Sequence, residues 1–388
     1  MQDRITLGDA MKIKKLIKEA AQIAKPYRIT NGEKFRLKDY DPADTGGMKD
    51  KKKALKILEK SVQLLSHLQE KLYAQDEWAA LLIFQAMDAA GKDGAIKHVM
   101  SGINPEGCDV TSFKAPSHRE LNHDYLWRTH NVIPERGKIG IFNRSYYEEV
   151  LVVRVHDELL NAEHLPKEIV GKDIWQDRYQ DINNFEKYLT RNGVVILKFF
   201  LHLSKDEQKK RFLERLEMPE KNWKFSMDDV KERAHWKDYQ KAYEVMIQGT
   251  ATERAPWYVI PADNKWFTRL AVAAAIIDTL DSLDLQFPEV DKEKKKDLAK
   301  VREALIREES QLLGTPEVNC RGLNLYPFTE RSSDETDCGS DRGGICRQGA
   351  YRSSAQIAGA GARNLGEFRR TQHGRGKSPG TRSRLQER

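Results

Sequence analysis

The chain has 388 residues, 32% of them charged and 39% hydrophobic, which is enough apolar content for a sizeable core and excludes wholesale disorder. Its longest clean apolar stretch, Leu270 to Ile277, is far below the roughly 20 residues that cross a bilayer, so no membrane span is expected. The net charge is +7, but the segment from Thr315 to Arg388 holds 13 Lys+Arg against 8 Asp+Glu, so a function that needs cations must find them in local clusters.

In chain order, residues 1–47 read as an arm: a short helix over 10–24, then Pro26, Asn31-Gly32 and a polar stretch. No apolar h-region follows Met1-Gln2-Asp3-Arg4, so no secretory leader is expected, and four cysteines in this length suit a reducing cytoplasm. Residues 51–73 place Leu55, Leu58, Val62, Leu65, Leu68 and Leu72 at three- and four-residue steps, one apolar helical stripe. Candidate strands follow at 79–84, 138–142, 194–201 and 257–260, with polar helical segments at 94–101, 177–191, 205–217 and 227–249. Strands separated by helix-length segments predict a parallel sheet covered on both faces. The core is expected over 48–290, a C-terminal helix over 291–313 and an unstructured Arg/Gly-rich tail over 314–388. Cys320, Cys338 and Cys346 in that tail lack the paired spacing of a zinc site.

Between the best strand and a helix lies Gln85-Ala86-Met87-Asp88-Ala89-Ala90-Gly91-Lys92-Asp93-Gly94. A phosphate-binding Walker A loop belongs there, because backbone N–H groups and the helix N-terminus can hold phosphate oxygens that the lysine bridges. Ala86 replaces the usual first glycine, and Asp93 the hydroxyl residue that normally holds Mg²⁺. The metal then needs another hard oxygen, and Asp88 is the candidate ligand. Two carboxylates beside polyphosphate repel it unless a divalent cation lies between.

The strand at 138–142 ends in Asn143-Arg144-Ser145-Tyr146-Tyr147-Glu148-Glu149, which should face the loop, since α/β sites lie at the carboxyl ends of strands. Asn143 stands where a Walker B carboxylate is expected, and Arg144 can fork onto a phosphoryl group. Further on, Lys209, Lys210, Arg211, Arg215, Lys221 and Lys224 crowd one stretch, with Arg211 and Arg215 on one helix face. They read as a mobile lid over polyanionic phosphate, although Glu207, Glu214 and Glu217 leave a salt-bridged surface helix as the competing reading. Arg128 and His130 form a weaker basic cluster. The chain up to residue 313 has no Gly-x-Ser-x-Gly elbow and no His-Glu-x-x-His; transfer onto an anionic phosphate needs no general base.

Taken in order, these segments resemble the polyphosphate kinase 2 family over roughly residues 35–288, with Val152-Val153-Arg154-Val155, Ile196-Leu197-Lys198-Phe199-Phe200-Leu201, Trp223-Lys224-Phe225 and Ala255-Pro256-Trp257-Tyr258-Val259-Ile260-Pro261 extending the match. The resemblance implies an α/β three-layer sandwich, a thymidylate-kinase-like P-loop core, with a helical lid over about 203–235. It implies phosphoryl transfer between inorganic polyphosphate and AMP, ADP or ATP, dependent on Mg²⁺, with Mn²⁺ as a substitute. Asp88, Lys92 and Arg144 match the family's catalytic positions. Ala89, Ala90, Gly91, Asp93, Gly94, Asn143 and Arg128 fall where nucleotide or phosphate binds, and Arg211, Arg215 and Lys224 on the polyphosphate-binding lid. The Asn-Arg-Ser form resembles the branch that accepts both AMP and ADP. A cytoplasmic homo-oligomer is expected, with neither membrane nor nucleic acid as partner. The competing readings are a nucleoside monophosphate kinase using ATP as donor and a non-catalytic nucleic-acid-binding P-loop protein.

Overall fold

The run Ala79–Ala86 is apolar on both sides of its alternation, so as a strand it has to be covered on both faces. In a computed structural model, which describes residues 7–222 and 225–313, that is where it lies. The expectations for Lys224 and for the tail from residue 314 fall outside the described residues. The strands are β1 (Arg28–Ile29), β2 (Ala79–Ala86), β3 (Cys108–Ser112), β4 (Ile139–Asn143), β5 (Val194–His202) and β6 (Trp257–Pro261). They form one sheet in the order β1-β6-β5-β2-β4-β3, parallel throughout except for β1, which pairs antiparallel with β6.

Every residue of β2 is buried, and its side chains alternate between two cores. Ala80, Leu82 and Phe84 join one cluster, and Ala79, Leu81 and Ile83 join the other. Among the described residues the α-helices longer than six residues are α1 (Leu7–Ala24), α2 (Lys51–Gln75), α3 (Lys92–Val99), α4 (Ile174–Arg191), α5 (Lys205–Glu217), α6 (Trp236–Thr250), α7 (Lys265–Asp281) and α8 (Lys292–Leu313). The first core is closed by α1, α2, α3 and α7 and the second by α4 and α6, so the molecule is a three-layer α/β/α sandwich. Asp50 caps α2, accepting from the Lys52 and Lys53 N–H groups at 2.9 and 3.1 Å. The stripe Leu58, Leu65, Leu68 and Leu72 then faces inward. Truncating one of these leucines to alanine costs about 2–5 kcal/mol in a core that cannot collapse.

The apolar stretch Leu270–Ile277 is the middle of α7 and is buried on all sides, as a helix without a polar face must be. Two elements have no strand signal in the sequence. The mixed-polarity Cys-Asp-Val-Thr-Ser of β3 is an edge strand, and β1 contributes only two residues from the arm, which thereby joins the sheet. The helix expected over 227–249 is interrupted: Met227–Glu232 is followed by a 3-10 turn at Arg233–His235 before α6 begins. The break has a tertiary cause. Arg233 Nη1 donates to Lys205 O and Gln208 Oε1, both at 2.8 Å, tying this turn to α5.

Candidate active site

The strands β2 and β4 are neighbours in register, Phe84 opposite Asn143, so the segments that follow them emerge at the same sheet edge. After β2 the chain turns through Met87–Gly91 into α3. Gly91 takes φ +98° at the helix start, where a side chain would be strained, and Ala89 takes φ +62° without being glycine. The first intrahelical bond runs from Ala95 N–H to Gly91 O, and the N–H groups of the turn before it face the loop without intrahelical acceptors. Lys92 Nζ donates to Ala86 O at 2.9 Å. Burial, then the Arg144 guanidinium, lower the Lys92 pKa from the ordinary ammonium value, against the opposing pull of Asp88, Glu148 and Asp93.

After β4, Arg144 also sits in the left-handed region at φ +65°, its N–H bonded to Phe84 O. Its guanidinium lies 3.5 Å from Asp88 Oδ1. Burial works against its charge, but Glu148 and Asp88 together hold its pKa above the ordinary arginine value. Asn143 Nδ2 donates to Asp93 Oδ1 at 2.8 Å, so the amide at the Walker B position orients the carboxylate that replaces the loop hydroxyl. Behind them Gln85 is fully buried, and with its oxygen toward Ser145 its amide donates to Glu148 Oε1 at 2.8 Å. Burial raises the Glu148 pKa, partly offset by Arg144 and Lys92.

These residues line a cleft of about 620 Å³. The structure brings Asp88, Ala89, Ala90, Gly91, Lys92, Asp93, Gly94, Asn143, Arg144, Arg211 and Arg215 to it. Lys114, Lys265 and Arg269 also line it and were missed, because each stands alone in a segment without motif character. Seven lysines and arginines thus face three carboxylates, Asp88, Asp93 and Glu214, which focuses a positive field into the cleft.

Two expected binding residues are placed differently. Arg128 lies outside this cleft. It stacks 5.0 Å from the Phe113 ring and donates to Lys114 O at 2.9 Å, which holds the 113–114 segment at the cleft wall. It lines an adjoining cavity of about 340 Å³ that shares Phe113, Lys114 and Arg144 with the first. Arg211, expected as a lid cation open to a ligand, is instead buried and spent on backbone: it bonds the carbonyls of Ala89, Ala90, Ala262 and Asp263 and pairs with Glu207. Arg215 keeps about a quarter of its side-chain surface and meets Asp229 at 3.4 Å.

A paired layer lies behind the cleft. Lys198 on β5 is fully buried and donates to Glu186 Oε2, Thr250 O and Tyr147 Oη at 2.7, 2.7 and 3.0 Å. Tyr146 and Tyr147 donate to Glu186 Oε1 at 2.9 and 2.7 Å, anchoring the turn just after Arg144. Arg178 binds Glu149 and Glu163, both of which line the second cavity. Burial, with Glu163 alongside, pushes the Glu149 carboxyl up to about 8.

Comparisons with known proteins place the chain among relatives of one family. Residues 48–288 match the family model for Polyphosphate kinase 2 (PPK2). An ADP-polyphosphate phosphotransferase of Rhodopseudomonas palustris is 51% identical over 284 residues, 73% of this chain and 98% of the relative. An AMP/ADP-polyphosphate phosphotransferase of Meiothermus ruber is 47% identical over 266 residues, 68% of this chain and 96% of the relative. Among solved structures, Polyphosphate Kinase 2 from Arthrobacter aurescens TC1 superposes with a TM-score of 0.67 at 41% identity, over 72% of this chain and 96% of that one.

Proposed function

The chain belongs to the polyphosphate kinase 2 family, and from that premise we propose a division of labour at the cleft for its transfer of phosphoryl groups between inorganic polyphosphate and nucleotides. The observation that carries the proposal is the set of six cations that line the cleft besides the committed Arg211: Lys92, Lys114, Arg144, Arg215, Lys265 and Arg269. A polyanionic donor needs such a set along its length, whereas a compact nucleotide donor needs only the loop. The core spans 48–290, and the lid segment of about 203–235, which includes Arg215 and Lys224 in sequence, closes over the polyphosphate. AMP and ADP are both acceptors, as the name of the Meiothermus relative states for that protein.

Lys92 exchanges its bond to Ala86 O for a phosphate oxygen. Arg144 places its fork on the transferred phosphoryl, where charge spreads over the equatorial oxygens. The N–H groups of the first turn of α3 bind the same anion. The acceptor phosphate is already anionic at neutral pH, so the residues position and stabilise rather than abstract a proton.

The donor set suits a divalent cation. Asp88 and Asp93 line the cleft within the same short loop, and among the described residues no group of three His, Cys, Asp or Glu forms a ready-made cage. One or two carboxylates completed by substrate phosphates is the way Mg²⁺ is usually held. Mg²⁺ at Asp88 and Asp93 supplies neutralisation of phosphate charge, and Mn²⁺ substitutes for it. Asn143 keeps Asp93 turned toward that position.

The test is nucleotide formation by the purified protein with long-chain polyphosphate and Mg²⁺, offering AMP and ADP separately and no ATP. ADP from AMP and ATP from ADP are the expected products, abolished by EDTA and restored by excess Mg²⁺. Activity with ADP alone removes AMP from the acceptors. Product that forms only when ATP is the donor overturns the assignment.

A further inference from the structure

We propose that Arg211 is a positioning residue that sets the shape of the phosphate loop from inside the protein, and not a contact for the polyphosphate chain. Gln208, one turn earlier on α5, shares the task. The inference rests on the phosphotransferase reading above and deepens it.

A guanidinium has five N–H donors in a fixed fork. At Arg211 Nε donates to Glu207 Oε1 at 2.8 Å, Nη1 to Ala89 O and Ala90 O at 3.0 and 2.9 Å, and Nη2 to Ala262 O and Asp263 O at 2.6 and 3.0 Å. All five are spent, and the side chain is 4% exposed. A bound phosphate could recruit this arginine only by orphaning buried carbonyls, each of which costs its full desolvation penalty. Gln208 Nε2 adds a bond to Asp88 O at 3.0 Å. Three consecutive loop carbonyls, those of Asp88, Ala89 and Ala90, are therefore held by α5 and withheld from the anion, which carbonyl dipoles would repel. The same bonds supply the restraint that the left-handed Ala89 requires, since such strain persists only where the surroundings over-determine it. Lysine has three donors on a single atom and cannot serve this set.

The contrast with Arg215 is direct, since both come from α5 and both line the cleft. Arg215 has a quarter of its surface open and a loose partner in Asp229. Gln208 also receives Arg233 Nη1 from the 3-10 turn, so both ends of the lid segment reach Asp88 through one amide.

The experiment uses the full chain and compares wild type, Arg211→Lys, Gln208→Leu and Arg215→Ala. The readouts are kcat, KM for polyphosphate across a salt series, and Tm, with rates taken well below each Tm. Counterion release gives the logarithm of polyphosphate affinity a linear dependence on the logarithm of salt, with a slope that falls by about one for each lost phosphate contact. Arg215→Ala is expected to raise KM and flatten that slope. Arg211→Lys is expected to lower kcat by about 100-fold, the cost of a loop misplaced by about 1 Å, with the slope unchanged. Gln208→Leu is expected to lower kcat by about tenfold, a smaller misplacement of the same kind, again without altering the slope. The proposal is overturned if Arg211→Lys keeps its kcat and flattens the slope as Arg215→Ala does, or if it lowers Tm alone. Should Arg211→Lys not fold, Gln208→Leu decides: an unchanged kcat overturns the proposal. A wild-type protein that makes no nucleotide from polyphosphate refutes the phosphotransferase reading itself, whereas an active wild type with an unaltered Arg211→Lys overturns this inference alone.

Discussion

The front of the cleft and the layer behind it carry similar side chains under different rules. In front, Lys92, Arg144 and Arg215 hold partners that a ligand can displace: a single loop carbonyl for Lys92 and loose carboxylate contacts of 3.5 and 3.4 Å for the two arginines. Behind, Lys198 and Arg211 are fully paired, Lys198 with a carboxylate, one backbone carbonyl and a tyrosine hydroxyl, Arg211 with a carboxylate and four backbone carbonyls. A cation meant for a ligand must be left under-satisfied, and a cation meant for architecture cannot be, because an unpaired buried charge is costly. Substitutions in front should therefore change turnover without changing stability, and loss of the buried pair at Lys198 should change stability, whereas Arg211, which holds the loop itself, should show in turnover.

The hardest blow to that division is expected from Lys92→Met. It should lower kcat by about a thousandfold, as loss of a main electrostatic contact to a transferring phosphoryl does, while thermal unfolding by circular dichroism stays close to wild type. A large fall in Tm would place Lys92 with the structural cations instead. Lys198→Met is the mirror experiment. It leaves Glu186 buried without its counter-charge and should cost about 3–5 kcal/mol in urea denaturation, and a variant as stable as wild type would break the comparison.

His202, at the end of β5, sharpens it through pH. Burial lowers its pKa to about 4, opposed by Asp263, and Nδ1 has no partner among the described groups. The unfolded chain takes up this proton near pH 6.5 and the folded one only near pH 4, so stability is lost as pH falls through that window and is level below it. The loss is about 3 kcal/mol over the window, and His202→Phe should flatten the stability profile between pH 6.5 and 4. A variant with the same acid sensitivity removes His202 from the account. The smallest effect belongs to Asn143→Asp, which sets a second carboxylate against Asp93. A several-fold fall in the Mg²⁺ concentration needed for half-maximal rate is expected, since two carboxylates at that distance favour a cation between them. An unchanged Mg²⁺ requirement would separate Asp93 from the metal.

Much of the front was readable in the sequence. Ala79-Ala80-Leu81-Leu82-Ile83-Phe84 followed by Gly91-Lys92 is local information: strand, turn and helix start lie within one stretch, and the chemistry of the turn travels with it. The layer behind was not readable. Lys198 sits in an apolar strand with nothing nearby in sequence to mark Glu186 as its partner, and Arg211 looks the same as Arg215 in a run of alternating charges. The 3-10 break at Arg233–His235 has no proline or glycine to announce it, because its cause is a pair of bonds to α5.

The sequence by itself determined the alternation of strands and helices, the family, and the place of the strand–turn–helix loop at the cleft, because these depend on periodicity and on residues adjacent in the chain. Only the tertiary structure decided which cations face the substrate. A charge is committed or left open according to the carbonyls and carboxylates that surround it, and for Arg211 the carbonyls arrive from the 89–90 turn and the segment after β6, for Lys198 from the end of α6.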